Sequence, residues 1–166
     1  MKVSDDTMTI TFKPIGYIHS PFHDLSEMPI QPSSESSAPG TVEILPPFNE
    51  GLKDLQGFSH VILIYHLHRS DQYSLTVTPF LDDEPHGVFA TRAPRRPNPI
   101  GISVVKLTRI TGNILYVENL DVLDGTPLLD IKPYVPEFDS PEEFRLGWLE
   151  KAMKKLRSTR SDKRFE

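Results

Sequence analysis

Residues 102–118, ISVVKLTRITGNILYVE, give the clearest indication of the fold class of this chain. Within residues 103–110 the side chains alternate, so that Val105 and Leu107 share a mostly apolar face and the opposite face is mixed. A period of two predicts a strand with one side turned towards a core. Thr-Gly-Asn at residues 111–113 then predicts a tight connection to a second, antiparallel strand. An antiparallel hairpin is therefore the first predicted element.

Five other segments have the composition of short strands. They are rich in Val, Ile, Thr and aromatic residues and are bounded by Pro, Gly, Asn or Asp. Among them only one short helix, over residues 49–55, is predicted, so a parallel α/β sheet is disfavoured. We predict an all-β, mainly antiparallel protein whose sheet closes into a small β-barrel. The five segments are residues 12–19, 41–45, 60–68, 75–79 and 87–91.

A C-terminal α-helix is predicted to follow the barrel. Ser140 is suited to the N-cap, Pro141 to the first helical position, and Glu143 completes a capping box. Apolar residues then recur at helical spacing. A chain of 166 residues is expected to form one domain. We assign residues 1–139 to the barrel and residues 140–166 to a helix and basic tail of the same domain.

Composition and charge narrow the possible functions. The absence of Cys excludes thiol nucleophiles, disulfides and Cys-bound metals, and it favours a cytoplasmic location. No apolar run is long enough to cross a membrane, and the N-terminus lacks the pattern of a signal peptide. The net charge is −5, yet residues 151–166 carry seven Lys or Arg and two acids. This basic end is either a phosphate-facing arm or a solvated terminus.

The segment GVFATRAPRRPNPIG, residues 87–101, is the first candidate for chemistry. Its prolines restrict the backbone, and it presents Arg92, Arg95, Arg96 and Asn98. Arginine on a rigid loop is suited to bidentate binding of carboxylate or phosphate. The alternative interpretation is a proline-stiffened hairpin whose arginines are simply solvated.

The second candidate is DVLDGTPLLDIKPY, residues 121–134. Asp130, Lys132 and Tyr134 occupy alternate positions, which predicts three polar side chains on one strand face. Such a face needs hydrogen-bonding partners if it is buried or lies at an interface. A structural Asp–Lys pair beside a tyrosine is the alternative.

The third candidate is FSHVILIYHLHR, residues 58–69, an apolar strand that ends in His66, His68 and Arg69. His-x-His can ligate a metal, but a mononuclear site requires a third protein ligand and the local sequence supplies none. A metal site is therefore not predicted. The sequence also lacks the glycine fingerprint of the dinucleotide-binding fold, the P-loop, His-Glu-x-x-His and the nucleophile elbow.

Together these segments resemble the TsaA-like family, also called TrmO. The resemblance implies an S-adenosylmethionine-dependent methyltransferase that acts on N6 of threonylcarbamoyladenosine, next to the anticodon of tRNA. It also implies a β-barrel unlike the usual methyltransferase fold, and a homodimer that binds the cofactor near its interface. The matching segments are FKPIGYIHSPF at 12–22, GLKDLQGFSHVILIYHLHR at 51–69, GVFATRAPRRPNPIGISVVKL at 87–107 and LDVLDGTPLLDIKPYVP at 120–136.

The resemblance also assigns binding residues. Ile30 and Arg69 depart from the family pattern, which has Arg and Gln at those positions. The predicted substrate-binding residues are Arg95, Arg96 and Asn98, and one of the two arginines is expected to hold the threonyl carboxylate. The predicted cofactor-binding residues are Pro29, Ile30, Gln31, His68, Arg69, Arg92, Ile102, Asp124, Gly125, Thr126 and Pro127.

The acceptor nitrogen carries a proton that must leave, so a base would assist the transfer. We predict Asp130 and Tyr134 as catalytic residues, with Lys132 as a positive charge that favours the tyrosinate, and His68 as the alternative base. A different class of function is also open, namely a non-catalytic dimeric barrel that binds S-adenosylmethionine as a sensor or regulatory module. A histidine-based metalloenzyme is the least favoured class.

Overall fold

The chain divides into two compact units, which are described separately. The first unit comprises residues 1–68 and 100–133, and the second comprises residues 69–99 and 134–166. The computed structural model describes residues 8–24, 38–79 and 82–153. The predicted cofactor-binding residues Pro29, Ile30 and Gln31 and most of the basic tail lie outside these ranges.

The first unit is a closed antiparallel barrel. Its strands are β1 (Gly16–His19), β2 (Gly40–Ile44), β3 (His60–His66), β6 (Ile100–Thr111), β7 (Ile114–Glu118) and β8 (Thr126–Pro133); β4 (Thr76–Val77) and β5 (His86–Gly87) belong to the second unit. The order around the barrel is β1, β2, β7, β6, β3 and β8, and β8 pairs back with β1. The predicted fold class, an all-β small barrel, is confirmed.

Alternation along the strands fills the barrel interior. In β6, Val105 and Leu107 are buried, whereas Val104 and Lys106 are exposed. The predicted hairpin joins β6 to β7 through Gly112, whose φ of 60° lies in the left-handed region that favours glycine. Burial of the inward side chains is the main stabilising contribution. The core contains Ile18, Val42, Ile44, Val61, Leu63, Tyr65, Val105, Leu107, Leu115, Val117, Leu120, Val122 and Leu128.

The helix predicted over residues 49–55 is wrong in type and in extent. Two 3-10 helices, Pro46–Leu52 and Leu55–Gly57, lie there instead. Prolines occupy the first positions of the earlier helix. Backbone N–H groups at these positions have no partner within the helix, so proline removes no helical hydrogen bond there. Asp54 between the helices has φ 66°, a left-handed conformation that does not continue a right-handed helix.

The C-terminal helix predicted from Ser140 begins later than expected. Ser140 instead follows a one-turn helix, α1 (Pro136–Asp139), as its C-cap. Residues 141–148 are not helical, and Gly147 has φ 58°, which interrupts a right-handed helix. Residues 149–153 are helical, and the chain beyond residue 153 lies outside the described residues.

Two strands predicted in the second unit are also shorter than expected. β4 and β5 contain two residues each, and Val88–Ala90 forms a 3-10 turn where a strand is predicted. The turn forms because the backbone N–H and the hydroxyl of Thr91 both donate to the carbonyl of Val88, at 3.1 and 2.9 Å. The strand therefore gives way to a turn at the start of the arginine-rich segment.

Gly101 is required by a close approach inside the barrel. It pairs with Tyr65 of β3, and a Cβ at position 101 would overlap the tyrosine ring. The ring is held in place, because its hydroxyl lies 2.9 Å from Ser103 Oγ, which itself donates to Asp121 at 2.5 Å. The buried Tyr65 thus leaves room only for a hydrogen at residue 101.

We predict that Gly101→Ala destabilises the protein by about 1–3 kcal/mol, as overpacking of a filled core does. The measurement is urea unfolding at equilibrium. Gly57→Ala is the matched control, because a Cβ at Gly57 would meet no atom within 4 Å. Equal unfolding free energies for the two variants would contradict this account of Gly101.

Candidate functional site

The turn that leads into β8 is bonded directly to β1 and the residues after it. The N–H of Asp124 donates to the carbonyl of Phe22 at 2.8 Å, and the N–H of Gly125 donates to that of Ile18 at 2.9 Å. Gly125 has φ 73°, a conformation that glycine adopts at little cost. These bonds fix the position of the Asp124-Gly-Thr-Pro127 motif at one mouth of the barrel.

Two histidine side chains and one backbone N–H surround the carboxylates of Asp124 and Glu43 at this mouth. Asp124 Oδ1 accepts a hydrogen bond from the N–H of Ser20 at 3.1 Å and lies 3.5 Å from Nδ1 of His19. Asp124 Oδ2 lies 3.6 Å from Nδ1 of His23, and Nε2 of His19 lies 3.5 Å from Glu43. The Asp124 side chain is still 34% exposed, so it is positioned by the protein and remains accessible to a ligand.

Thr126 connects this motif to His68. The hydroxyl of Thr126 donates to the carbonyl of Leu123 at 2.7 Å and lies 3.4 Å from Nδ1 of His68. Thr126 is buried and His68 is half-buried. The structure therefore brings His68 close to the turn that contains Asp124.

Ile102 lies on the outer surface of the barrel and is 50% exposed. It pairs with Ile64 of β3, and Val104 pairs with Ile62 in the same register. On the other side of β3, Ile64 pairs with Asp130 and Ile62 with Lys132. Directly paired residues point to the same side of a sheet, so these six side chains share the outer face.

Asp130 and Lys132 form an ion pair on that outer face. Lys132 Nζ lies 2.8 Å from Asp130 Oδ2, and both side chains are exposed. The hydrogen bond to Asp130 raises the pKa of Lys132 above its ordinary value. At about 3.3 Å per residue, Asp130 is about 13 Å along β8 from Thr126. Tyr134 follows directly after the last residue of β8.

Asp130 also borders an apolar cleft of about 380 Å³ at the barrel surface. Most of its walls are aliphatic or aromatic, and the 3-10 helix Pro46–Leu52 forms one side. The lining residues are Ile15, Ile44, Pro47, Phe48, Gly51, Leu52, Leu55, Asp130 and Ile131.

In the second unit, Arg96 is part of the framework of the arginine-rich segment. Its Nη1 donates to the carbonyls of Val88, Thr91 and Ala93, at 3.1, 2.8 and 3.4 Å. The guanidinium also lies 5.9 Å from the centre of the Phe89 ring. These contacts leave Arg96 half-buried, so the guanidinium stabilises the loop that presents the other polar residues.

The remaining predicted residues of this segment face solvent. Arg92, Arg95 and Asn98 are exposed, and so is Arg69 at the start of the second unit. The backbone at Arg95 is held from another segment, because the N–H of Ser74 donates to the carbonyl of Arg95 at 3.2 Å. The exposed arginines are thus presented from a restrained loop.

Trp148 anchors the base of the same loop. Its indole N–H donates to the carbonyl of Ala90 at 2.8 Å, and its ring stacks on His86 with 4.4 Å between centroids. His86 in turn lies 3.0 Å from Asp82. The hydrogen bond from His86 lowers the pKa of Asp82 below its ordinary value.

Several residues of the site were not among those predicted. His19, Ser20 and His23 lie in the FKPIGYIHSPF region or just after it, but the sequence gives no sign that they contact Asp124. The contact between Ser20 and Asp124 spans 104 residues. Only the pairing of β1 with β8 brings these residues together.

Within residues 8–24, 38–79 and 82–153, no group of three His, Asp or Glu side chains is arranged to hold a metal ion. Over the same ranges, no helix is long and apolar enough to cross a membrane.

Comparison with known proteins identifies the family. The family model described as the N-terminal domain of tRNA-methyltransferase O matches residues 17–140. A probable S-adenosyl-L-methionine-binding protein of Pyrococcus abyssi is 59% identical, over 95% of this chain and 86% of its own length. The human tRNA (adenine(37)-N6)-methyltransferase is 36% identical, over 86% of this chain and 34% of its own.

A solved structure agrees with these relatives. The crystal structure of TrmO from Pseudomonas aeruginosa superposes with a TM-score of 0.72 at 45% identity, covering 84% of this chain and 62% of that one. The chain therefore belongs to the tRNA-methyltransferase O family, and the resemblance stated from the sequence is confirmed. It corresponds to the N-terminal domain of that family and spans about a third of the human relative.

Proposed function

We propose that this chain transfers a methyl group from S-adenosyl-L-methionine to N6 of threonylcarbamoyladenosine beside the anticodon of tRNA. The observation that carries the proposal is the restrained Asp124 carboxylate, next to Thr126 and His68, in a member of the tRNA-methyltransferase O family. The human relative, named for adenine 37 of tRNA, supports the position and the acceptor atom.

The residues at the barrel mouth fit the proposed cofactor. S-adenosyl-L-methionine supplies a methyl group bound to a positively charged sulfur, and its hydroxyl and ammonium groups are hydrogen-bond donors. The accessible carboxylate of Asp124 is an acceptor for such donors. A Cβ added at Gly125 would meet no atom within 4 Å, so the turn leaves open space beside the carboxylate.

We assign cofactor binding on this basis. We propose that the cofactor contacts three parts of the barrel, namely His68, Ile102 and residues 124–127. The family resemblance implies further cofactor contacts, and we keep them in the proposal. They are Arg69 and Arg92, together with Pro29, Ile30 and Gln31, which lie outside the described residues.

Holding donor and acceptor in line is the main task of such a site, because effective concentration alone accounts for a large share of the rate.

The threonyl carboxylate of the substrate requires a cation with two donors. Arg95 is exposed, whereas one nitrogen of Arg96 already donates to three carbonyls. We therefore propose Arg95 as the residue that binds this carboxylate, with Asn98, three residues further along the chain, as an additional polar contact. Arg96 is proposed to act through the loop that it stabilises.

The proton on N6 must leave when the new N–C bond forms. Asp130 and Tyr134, with Lys132, stay the proposed catalytic residues, and the ion pair keeps the Asp130 carboxylate beside a positive charge. His68 is the alternative proton acceptor. Its position favours it, since Nδ1 of His68 lies within the cluster that contains Thr126.

A non-catalytic module that binds S-adenosyl-L-methionine is the second candidate function. Two observations favour it: the Pyrococcus abyssi relative is named only for binding this molecule, and the chain spans 34% of the human methyltransferase. Both candidate functions require the cluster at Asp124 for cofactor binding. They differ in whether the methyl group is transferred to tRNA.

The deciding experiment incubates the full chain with methyl-labelled S-adenosyl-L-methionine and tRNA. The tRNA is taken from cells with and without the threonylcarbamoyl modification. We expect label in modified tRNA only, and we expect Arg95→Ala to lose about tenfold or more of this preference. Arg95→Lys is the matched control, because it keeps the charge without the bidentate geometry; it should retain general RNA affinity but not the preference.

The possible results separate the candidates. Cofactor binding without label in either tRNA would contradict the methyltransferase and favour the binding module. Arg95→Ala that keeps the preference of the unchanged protein for modified tRNA would contradict the assignment of Arg95. Equal labelling of modified and unmodified tRNA by the unchanged protein would contradict threonylcarbamoyladenosine as the substrate.

We also propose that the protein forms a homodimer through the outer face of β3, β6 and β8. Ile62, Ile64, Ile102 and Val104 form a compact apolar patch there, and Ile102 and Val104 are 50% and 46% exposed. The ion pair of Asp130 and Lys132 flanks the patch. Since Ile102 is also a proposed cofactor contact, this arrangement supports a dimer that binds the cofactor close to its interface.

Val104→Glu is expected to produce a monomer at concentrations where the unchanged protein is a dimer. In a two-fold interface, the new carboxylates of the two subunits would lie opposite or near each other, away from water. Their repulsion and the cost of removing them from water oppose association. Val104→Thr, which keeps the branched shape, is the control and should remain a dimer. Sedimentation equilibrium measures both, and an unchanged mass for Val104→Glu would contradict this interface.

A further inference from the structure

Phe89 is exposed to an unusual extent for an aromatic side chain in a restrained segment. It lies in the 3-10 turn Val88–Ala90 and is 76% exposed. Both flanking residues are fixed: the N–H of Val88 donates to Leu75 at 3.0 Å, and the carbonyl of Ala90 accepts from Trp148 at 2.8 Å. The backbone therefore holds the ring out towards solvent.

One face of the Phe89 ring already has a partner. The guanidinium of Arg96 lies 5.9 Å from the ring centre, within the range of a cation–π contact. Arg96 is itself fixed by its bonds to Val88, Thr91 and Ala93. The ring is thus supported from one side, which leaves its other face for a ligand.

The surroundings of Phe89 are basic and aromatic. Residues 87–101 contain three arginines and no Asp or Glu, and Arg92 and Arg95 are exposed. Tyr73 is 64% exposed and directly precedes Ser74, which bonds to the carbonyl of Arg95. Aromatic rings interleaved with arginines are typical of surfaces that bind single-stranded nucleic acid, where bases stack and phosphates pair with cations.

We propose that Phe89 stacks on an unpaired base of the bound RNA, with Arg92 and Arg95 close to the adjoining phosphates. This inference rests on the proposed function, because it takes RNA to be the substrate. Bases in anticodon loops can be unstacked and bound by aromatic side chains, which is how proteins recognise single-stranded RNA. The adenine of the cofactor has the same ring chemistry, so the test has to distinguish the two sources.

The experiment measures two affinities for each variant of the full chain. An anticodon stem-loop RNA is titrated by fluorescence anisotropy, and S-adenosyl-L-methionine is titrated by calorimetry. We expect Phe89→Leu to weaken RNA binding about tenfold or more, because an aliphatic side chain cannot stack. Affinity for the cofactor should not change. Phe89→Tyr should keep RNA affinity within about twofold, and Phe48→Leu, an exposed phenylalanine of the barrel, serves as the control.

Three results would overturn the inference. Phe89→Leu that binds RNA as tightly as the unchanged protein would show that the ring does not stack on RNA. Weaker binding of the cofactor with unchanged RNA affinity would assign the ring to adenine of the cofactor. Sedimentation equilibrium is run on the same variants, and a changed mass for Phe89→Leu with unchanged RNA affinity would make Phe89 a protein contact. Failure of the proposed function gives a different result from failure of this inference. In that case the unchanged protein itself would bind no RNA, whatever the residue at position 89.

Discussion

Pairing of β8 on both of its edges is the constraint on which the rest of the barrel depends. β8 pairs with β1 on one side and β3 on the other, and this closes the sheet. Because the turn before β8 is bonded to Ile18 and Phe22, closure also fixes Asp124. The same strand then places Asp130 and Lys132 on the outer face. One strand thus connects the core, the candidate cofactor site and the proposed dimer interface.

Much of the barrel was predictable because its rules are local. Alternation of Val105 and Leu107 with exposed residues and the glycine turn at Gly112 both follow from short-range sequence patterns. The C-terminal helix was harder, since Ser140 satisfies every local rule for an N-cap and nevertheless follows α1. The capping residues at Ser140 favour the start of a helix, whereas Gly147 has a left-handed conformation that interrupts one. The sequence alone does not show which of these two effects is stronger.

The candidate site was predictable in its motifs and not in its contacts. Asp124, Thr126 and His68 were assigned by family resemblance, and the structure places the Thr126 hydroxyl 3.4 Å from His68. The contact of Ser20 with Asp124 depends on strand pairing across 104 residues, for which the chain carries no local signal. Arg96 is a similar case. It has the same side chain as Arg95, and the sequence does not show that three backbone carbonyls point towards Arg96 while Arg95 stays exposed.

Calorimetric titration with S-adenosyl-L-methionine measures whether the cofactor binds at the mouth of the barrel. The unchanged protein is expected to bind one molecule per chain. Asp124→Asn should bind at least about tenfold more weakly, because a charged acceptor becomes a neutral one. Glu50→Gln, an exposed change of the same kind elsewhere on the barrel, should have no effect. Equal affinity for Asp124→Asn and the unchanged protein would contradict binding at the mouth of the barrel.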